Sequence, residues 1–240
     1  MFFPLGIVFG LGLLFLVAGV RWSRHRQLHQ FIEPVITARR AGFQPSLFDQ
    51  PARWLAIKGH HPEFVQETLG VQNGVRCSWE EGLSELRDQK LFIAPPLGGW
   101  ILVIGTSLPD PAEDVDKCFH LLSSWSRQLG HVQFFSANRI LNHHAWAIVD
   151  QGAVFRAYAW AGETLWNQGQ MTSAERDLDL RCLEYGSVHS LLGQNEPFIS
   201  NTENICRLAA RWSLDPNVLA DRLPRNRRGI VGHLSQFRPS

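Results

Sequence analysis

With 240 residues, 45% of them hydrophobic and 19% charged, the chain is long enough for one sizeable domain, or for a medium one with appendages. Lys and Arg number 23 against 22 Asp and Glu, a net charge of +1. That balance excludes a dedicated nucleic-acid binder, which needs a concentrated basic surface to neutralise phosphates.

Residues Phe2 to Val20 read FFPLGIVFGLGLLFLVAGV, with no charged or strongly polar side chain. As a helix this run spans about 28 Å, close to the hydrocarbon thickness of a bilayer. Pro4 falls in the first turn, where a missing N–H costs little. A signal peptide needs a basic stretch before its apolar run. Here the positive charges follow it, at Arg21, Arg24 and Arg26, although Ala18-Gly19-Val20 offers small residues for cleavage. The sequence predicts an uncleaved, single-pass anchor over residues 1–21. The arginines place its N-terminus outside the inner membrane and the following chain in the cytosol. Residues 22–52 read as a basic juxtamembrane segment and linker, with Arg21, Trp22, Arg24 and Arg26 at the membrane interface. The lipid bilayer is thus the first expected partner.

A globular domain is expected over 53–222, and a basic, loose tail over 223–240. Trp54 to Lys58 reads as a strand. His61-Pro62 opens a helix that Gly70 closes, and Ser78 with Glu81 forms a capping box for the next helix. Leu91 to Ala94 and Trp100 to Gly105 are apolar strands. The longest helix is expected from an N-cap at Asp110 with Pro111 at N1, along the stripe Val115, Cys118, Phe119, Leu122, Trp125 and Leu129, to Gly130. His131 to Phe135 is a strand, and Ala145–Val149 with Ala153–Ala159 form a hairpin about Asp150-Gln151-Gly152. Thr172 with Glu175 and Ser200 with Glu203 make two further capping boxes, the second opening a helix to about Trp212. Asp215-Pro216 starts another turn. The fold class is α+β, a mixed or antiparallel sheet with helices packed on one side, preceded by the transmembrane helix.

No phosphate-binding glycine loop, nucleophile elbow, metalloprotease or kinase signature occurs. The sequence calls for no cofactor and no metal. Cys77, Cys118, Cys182 and Cys206 lie far apart, without a C-x-x-C pair or a zinc spacing. They suit reduced, buried thiols, whereas two disulfides, in any of three pairings, would require export. The doublets His60-His61 and His143-His144 cannot each chelate one ion, because adjacent strand residues point to opposite faces.

Polar and aromatic residues concentrate between Ser136 and Trp166. Trp146 should lie close to Tyr158 or Trp160 across the hairpin. Asn138, Arg139, His143, Trp146, Tyr158 and Trp166 form the candidate ligand-binding set. Two functions compete. One is a binding or adaptor module held at the membrane beside a protein partner. The other is an enzyme using His143 or His144 for acid–base chemistry.

Between Pro95 and Leu180, the pair Gly99-Trp100, the run HVQFF, the triplet AWA, Arg156-Ala157-Tyr158 and Trp166 to Gly169 resemble bacterial domains of unknown function. Some of these are immunity- or interaction-like. The resemblance implies an immunity-type role, neutralising a partner, and carries no catalytic residues.

Overall fold

The computed structural model describes residues 52–186, 196–216 and 226–235. The apolar leader and its basic flank, with Arg21, Trp22, Arg24 and Arg26, lie outside the described residues, as does the chain after Pro216 up to residue 225. Among the described residues no helix is long and apolar enough to cross a membrane.

The described chain is α+β. Nine strands occur in it: β1 (Ala52–Lys58), β2 (Val71–Cys77), β3 (Lys90–Ile93), β4 (Trp100–Ile104), β5 (His131–Asn138), β6 (His143–Asp150), β7 (Ala153–Trp160), β8 (Thr164–Gln168) and β9 (Gly229–Leu234). They form one sheet in the order β2-β9-β3-β4-β1-β5-β6-β7-β8, and every pairing is antiparallel. The helices are α1 (Pro62–Leu69), α2 (Trp79–Ser84), α3 (Val115–Leu129), α4 (Ser173–Asp177) and α5 (Glu196–Trp212).

Helices cover both faces of the sheet, not one. The central strands are apolar at successive positions, so each pleat needs its own cover. Trp54, Ala56, Leu102, Phe135, Trp146 and Tyr158 share one core with Trp79 of α2, Ala174 of α4 and Ile205, Leu208 and Ala209 of α5. Leu55, Ile57, Ile101, Val103, Val132 and Phe134 pack on the other face against Val65 and Leu69 of α1 and Cys118, Leu122 and Trp125 of α3. On the first face, Trp54, Phe135, Trp146 and Tyr158 stand in register across four strands. Trp54 stacks on Phe135 at 5.1 Å, and Trp146 meets Tyr158 at 5.1 Å. Cross-strand aromatic pairs of this kind add to the area they bury.

Local signals place α1, α2 and α4 where expected. Gly70 closes α1 in the left-handed conformation, and both the Ser78/Glu81 and Thr172/Glu175 capping boxes form. Two helix starts move. The N-cap of α3 is Asp114, whose side chain accepts from Lys117 N at 2.8 Å. Asp110 instead holds a turn, accepting from Ala112 N and sitting 3.8 Å from Arg53. Either aspartate satisfies the capping chemistry, and that contact with β1 retains the first in the turn. Helix α5 already begins at Glu196, with Pro197 in its first turn, so Ser200 lies inside it and accepts from Asn204 Nδ2.

Three strands lacked a sequence signal. β2 (VQNGVRC) is a polar edge strand, and β8 is short. β9 falls in the stretch expected to be a loose tail, yet it inserts between β2 and β3. Its Gly229 marks close packing here: a Cβ at that position would stand 2.4 Å from Phe92 and 2.5 Å from the Ile93 carbonyl.

Candidate functional site

The most polar interior of the domain lies between β7, β8 and the segment after α4. Arg156, on β7, is 1% exposed. A lone guanidinium there would carry a large desolvation cost, and each of the three nitrogens of this one has an acceptor within reach. Nε donates to Glu175 Oε1 at 2.8 Å. Nη1 donates to Asn167 Oδ1 at 2.8 Å and faces the carbonyls of Ala157, Gln168 and Gly169. Nη2 lies 3.0 Å from Cys182 Sγ.

Glu175 is fully buried and serves twice. Its Oε2 accepts from Thr172 N at 2.6 Å, closing the capping box of α4. Its Oε1 accepts from both Arg156 Nε and Trp146 Nε1, each at 2.8 Å. A carboxylate placed by helix-capping chemistry is thus also the counter-ion of the sheet's buried arginine.

The chain from Leu180 to Tyr185 has no regular structure, and side chains of the hairpin hold it. Tyr158 Oη accepts from Leu183 N, while Thr164 Oγ1 and Asn167 Nδ2 donate to the Leu183 carbonyl. Burial pushes the Cys182 thiol up to about 12, with Arg156 pulling against it and Glu175 adding to it. The sulfur is therefore a neutral thiol near pH 7 and a poor nucleophile.

Gly169 ends β8 within this network, at φ +74°, and a Cβ there would come within 2.0 Å of the Phe155 carbonyl oxygen. Gly169→Ala is expected to cost about 1–3 kcal/mol from the left-handed backbone alone, before the clash is counted. Urea unfolding checks this. A loss below about 0.5 kcal/mol, the size of an ordinary surface change, would show that the close approach is relaxed.

A second polar group joins β6 to α5. His144 is 2% exposed and stacked on Trp146 at 5.7 Å. Thr202 Oγ1 donates to Asn142 Oδ1 at 2.7 Å and stands 3.0 Å from His144 Nδ1. Asn201 Nδ2 is 3.2 Å from His144 Nε2 and also donates to the Arg181 carbonyl at 2.7 Å. This pattern assigns the ring proton to Nδ1. Burial above all, and His143 next, lower the pKa from 6.5 to about 3, so the ring is neutral.

The six residues singled out from the sequence do not line one pocket. Trp146 and Tyr158 meet as expected, but inside the core. Trp166 pairs with Ala159, one position from Tyr158, and so points to the opposite face, edge-on to Phe119 at 6.0 Å. Asn138 accepts from Ile140 N and Leu141 N at the hairpin tip, where Arg139 is exposed. His143 takes the pleat opposite His144 and is half-buried.

Two surface grooves are formed by other residues. One, of about 550 Å³, lies along β2, β9 and β3 and is lined by Val75, Glu81, Glu85, Lys90, Val231 and His233 among others. Lys90 pairs with Glu85 at 2.5 Å, and Arg228 with Glu81 at 3.2 Å, so both signs of charge border its apolar Val75–Val231 strip. The other, of about 410 Å³, is lined by Met171, Arg176, Arg181 and Cys182 among others. Neither His143 nor His144 lines either groove.

None of the four cysteines forms a disulfide, and among the described residues no group of three or more His, Cys, Asp or Glu is placed to hold a metal ion. Sequence reasoning had found the Thr172–Glu175 capping box but not its charge partner, and it passed over the β2 groove because no motif marks it. In comparisons with known proteins, no family model, no curated protein and no solved structure matches the chain.

Proposed function

We propose that the chain is a binding module held at the inner face of the cytoplasmic membrane, and that it takes a protein segment in the groove along β2, β9 and β3. The apolar leader followed by Arg21, Arg24 and Arg26 supports the tether. Tethering raises the local concentration of the domain near membrane partners without any new contact.

The single observation that carries the binding reading is Val75. It is 61% exposed on an edge strand and lines a groove bordered by charged pairs. A large exposed aliphatic residue in a polar-rimmed concavity matches the anatomy of a protein contact. For the acid–base alternative, His144 is closed in by Asn201, Thr202 and Trp146, and the half-buried His143 lines neither groove.

Purified through detergent from membranes at native expression, the full-length chain is expected to carry a stoichiometric protein partner. Val75→Asp is expected to lose that partner with the thermal melt unchanged, since the side chain is on the surface. Recovery of the parent chain alone, or full retention of the partner by Val75→Asp, would refute the groove as the site.

A further inference from the structure

The turn between β5 and β6 presents two aliphatic side chains to solvent. Ile140 is 78% exposed and Leu141 59%. Single exposed apolar residues are ordinary on a protein surface. This pair is held in place on purpose-built polar contacts. Asn138 Oδ1 accepts from both Ile140 N and Leu141 N at 3.1 Å. Asn142 closes the turn at φ 54° and accepts the Thr202 hydroxyl from α5 at 2.7 Å. The ordering cost of the turn is thus met by its backbone and flanking amides, while its two apolar side chains contribute nothing to the core.

The location of this tip gives it an occupant. The chain enters the domain at Ala52, which pairs with Ala137, three residues before Ile140. The 51 residues before that entry include the uncharged run Phe2–Val20. The point at which the tether joins the sheet and the exposed Ile140-Leu141 pair are therefore at the same end of neighbouring strands. The exposed aromatic residue Phe155 sits next to the β6–β7 turn, at the other end.

We propose that the β5–β6 tip is a membrane-inserting wedge, with Ile140 and Leu141 entering the interfacial layer of the bilayer to which the chain is tethered. This rests on the anchoring reading above. Charge at this end decides the kind of lipid. Arg139 and His143 flank the tip, but the carboxylate of Asp110 stands beside Arg53 at the same end, followed along the chain by Glu113, Asp114 and Asp116, and Glu163 lies in the neighbouring β7–β8 turn. Carboxylates oppose attraction to anionic headgroups, so the contact is apolar and takes a zwitterionic surface, with little dependence on salt.

The test uses the full chain in phosphatidylcholine nanodiscs, with p-benzoylphenylalanine placed singly at positions 140, 141, 155 or 75. Irradiation is expected to attach lipid at 140 and 141, unchanged in high salt, and to give only background adduct at 155 and 75. Chain held in the discs with equal lipid adducts at all four positions, or with none at 140 and 141, overturns the wedge and leaves the anchor standing. Cross-links from 140 and 141 to protein instead of lipid overturn it as well, identifying a partner or a second copy at the tip. Chain that does not remain with the discs overturns the anchor, and the wedge with it.

Discussion

Glu175→Ala is expected to destabilise the domain by about 3–5 kcal/mol, the cost of leaving one member of a buried ion pair without its partner. Both Arg156 and Glu175 are almost completely inaccessible. Removing the carboxylate leaves a buried guanidinium without its counter-ion, strands Trp146 Nε1, and opens the capping box of α4 at once. The pair is not expected to be the cheapest way to fill this space. Two charges taken out of water lose much of what their attraction returns, and well-packed apolar replacements are often neutral. Here that route is closed, because Asn167, the Gln168 and Gly169 carbonyls and Trp146 all need the polar partners the pair supplies. A double-mutant cycle of Arg156→Met and Glu175→Leu is therefore expected to show strong coupling, with the double variant still less stable than the parent. Equilibrium unfolding reads both quantities. A Glu175→Ala loss under about 1 kcal/mol, or a double variant as stable as the parent, would mean that the network does not hold the segment after α4.

Stability is expected to fall as the pH drops through the window from about 6.5 to 3, with His144 as a main cause. The ring is neutral in the folded chain down to about pH 3, whereas in the unfolded chain it takes a proton near its ordinary 6.5. Between these values the unfolded state binds the extra proton. The stabilisation is therefore complete above 6.5, is lost as pH falls, and declines no further from this group below 3. The slope is up to about 1.4 kcal/mol per pH unit, which sums to about 3–5 kcal/mol over the window. The physical event is specific. A proton on Nε2 would face the Asn201 amide donor, in a site walled by Trp146 and Tyr158. Urea midpoints at pH 7 and pH 5 measure the slope, and His144→Gln separates this residue from the carboxylates. The variant should be less stable at pH 7 and should lose less on going to pH 5. Equal pH dependence in parent and variant would remove His144 as the cause.

These two effects show where reading the sequence reaches its limit. Glu175 was visible as the N3 residue of a capping box, because capping joins residues three apart and depends on the local chain. Its second bond, to Arg156, joins residues 19 apart and depends on how β7 docks against α4. The doublet His143-His144 correctly implied opposite pleats, but not which of the two would be buried. Trp166 was grouped with Tyr158 by proximity in the chain. A register offset by one residue on β8 sends it to the other face, and no local pattern reports that offset.

By itself the sequence determined the apolar leader with its trailing arginines, the capped starts of α2 and α4, the left-handed close of α1, the strongest strands and the hairpin about Gly152. Each of these is written in residues a few positions apart, where backbone sterics, capping hydrogen bonds and period-2 patterning act. Tertiary structure alone decided that β9 threads between β2 and β3, that helices cover both faces, that Arg156 meets Glu175, and that Val75, Ile140 and Leu141 stay in solvent. Those outcomes follow from pairing and burial between distant segments, which are settled by the packing of the whole sheet and not by any short window of residues.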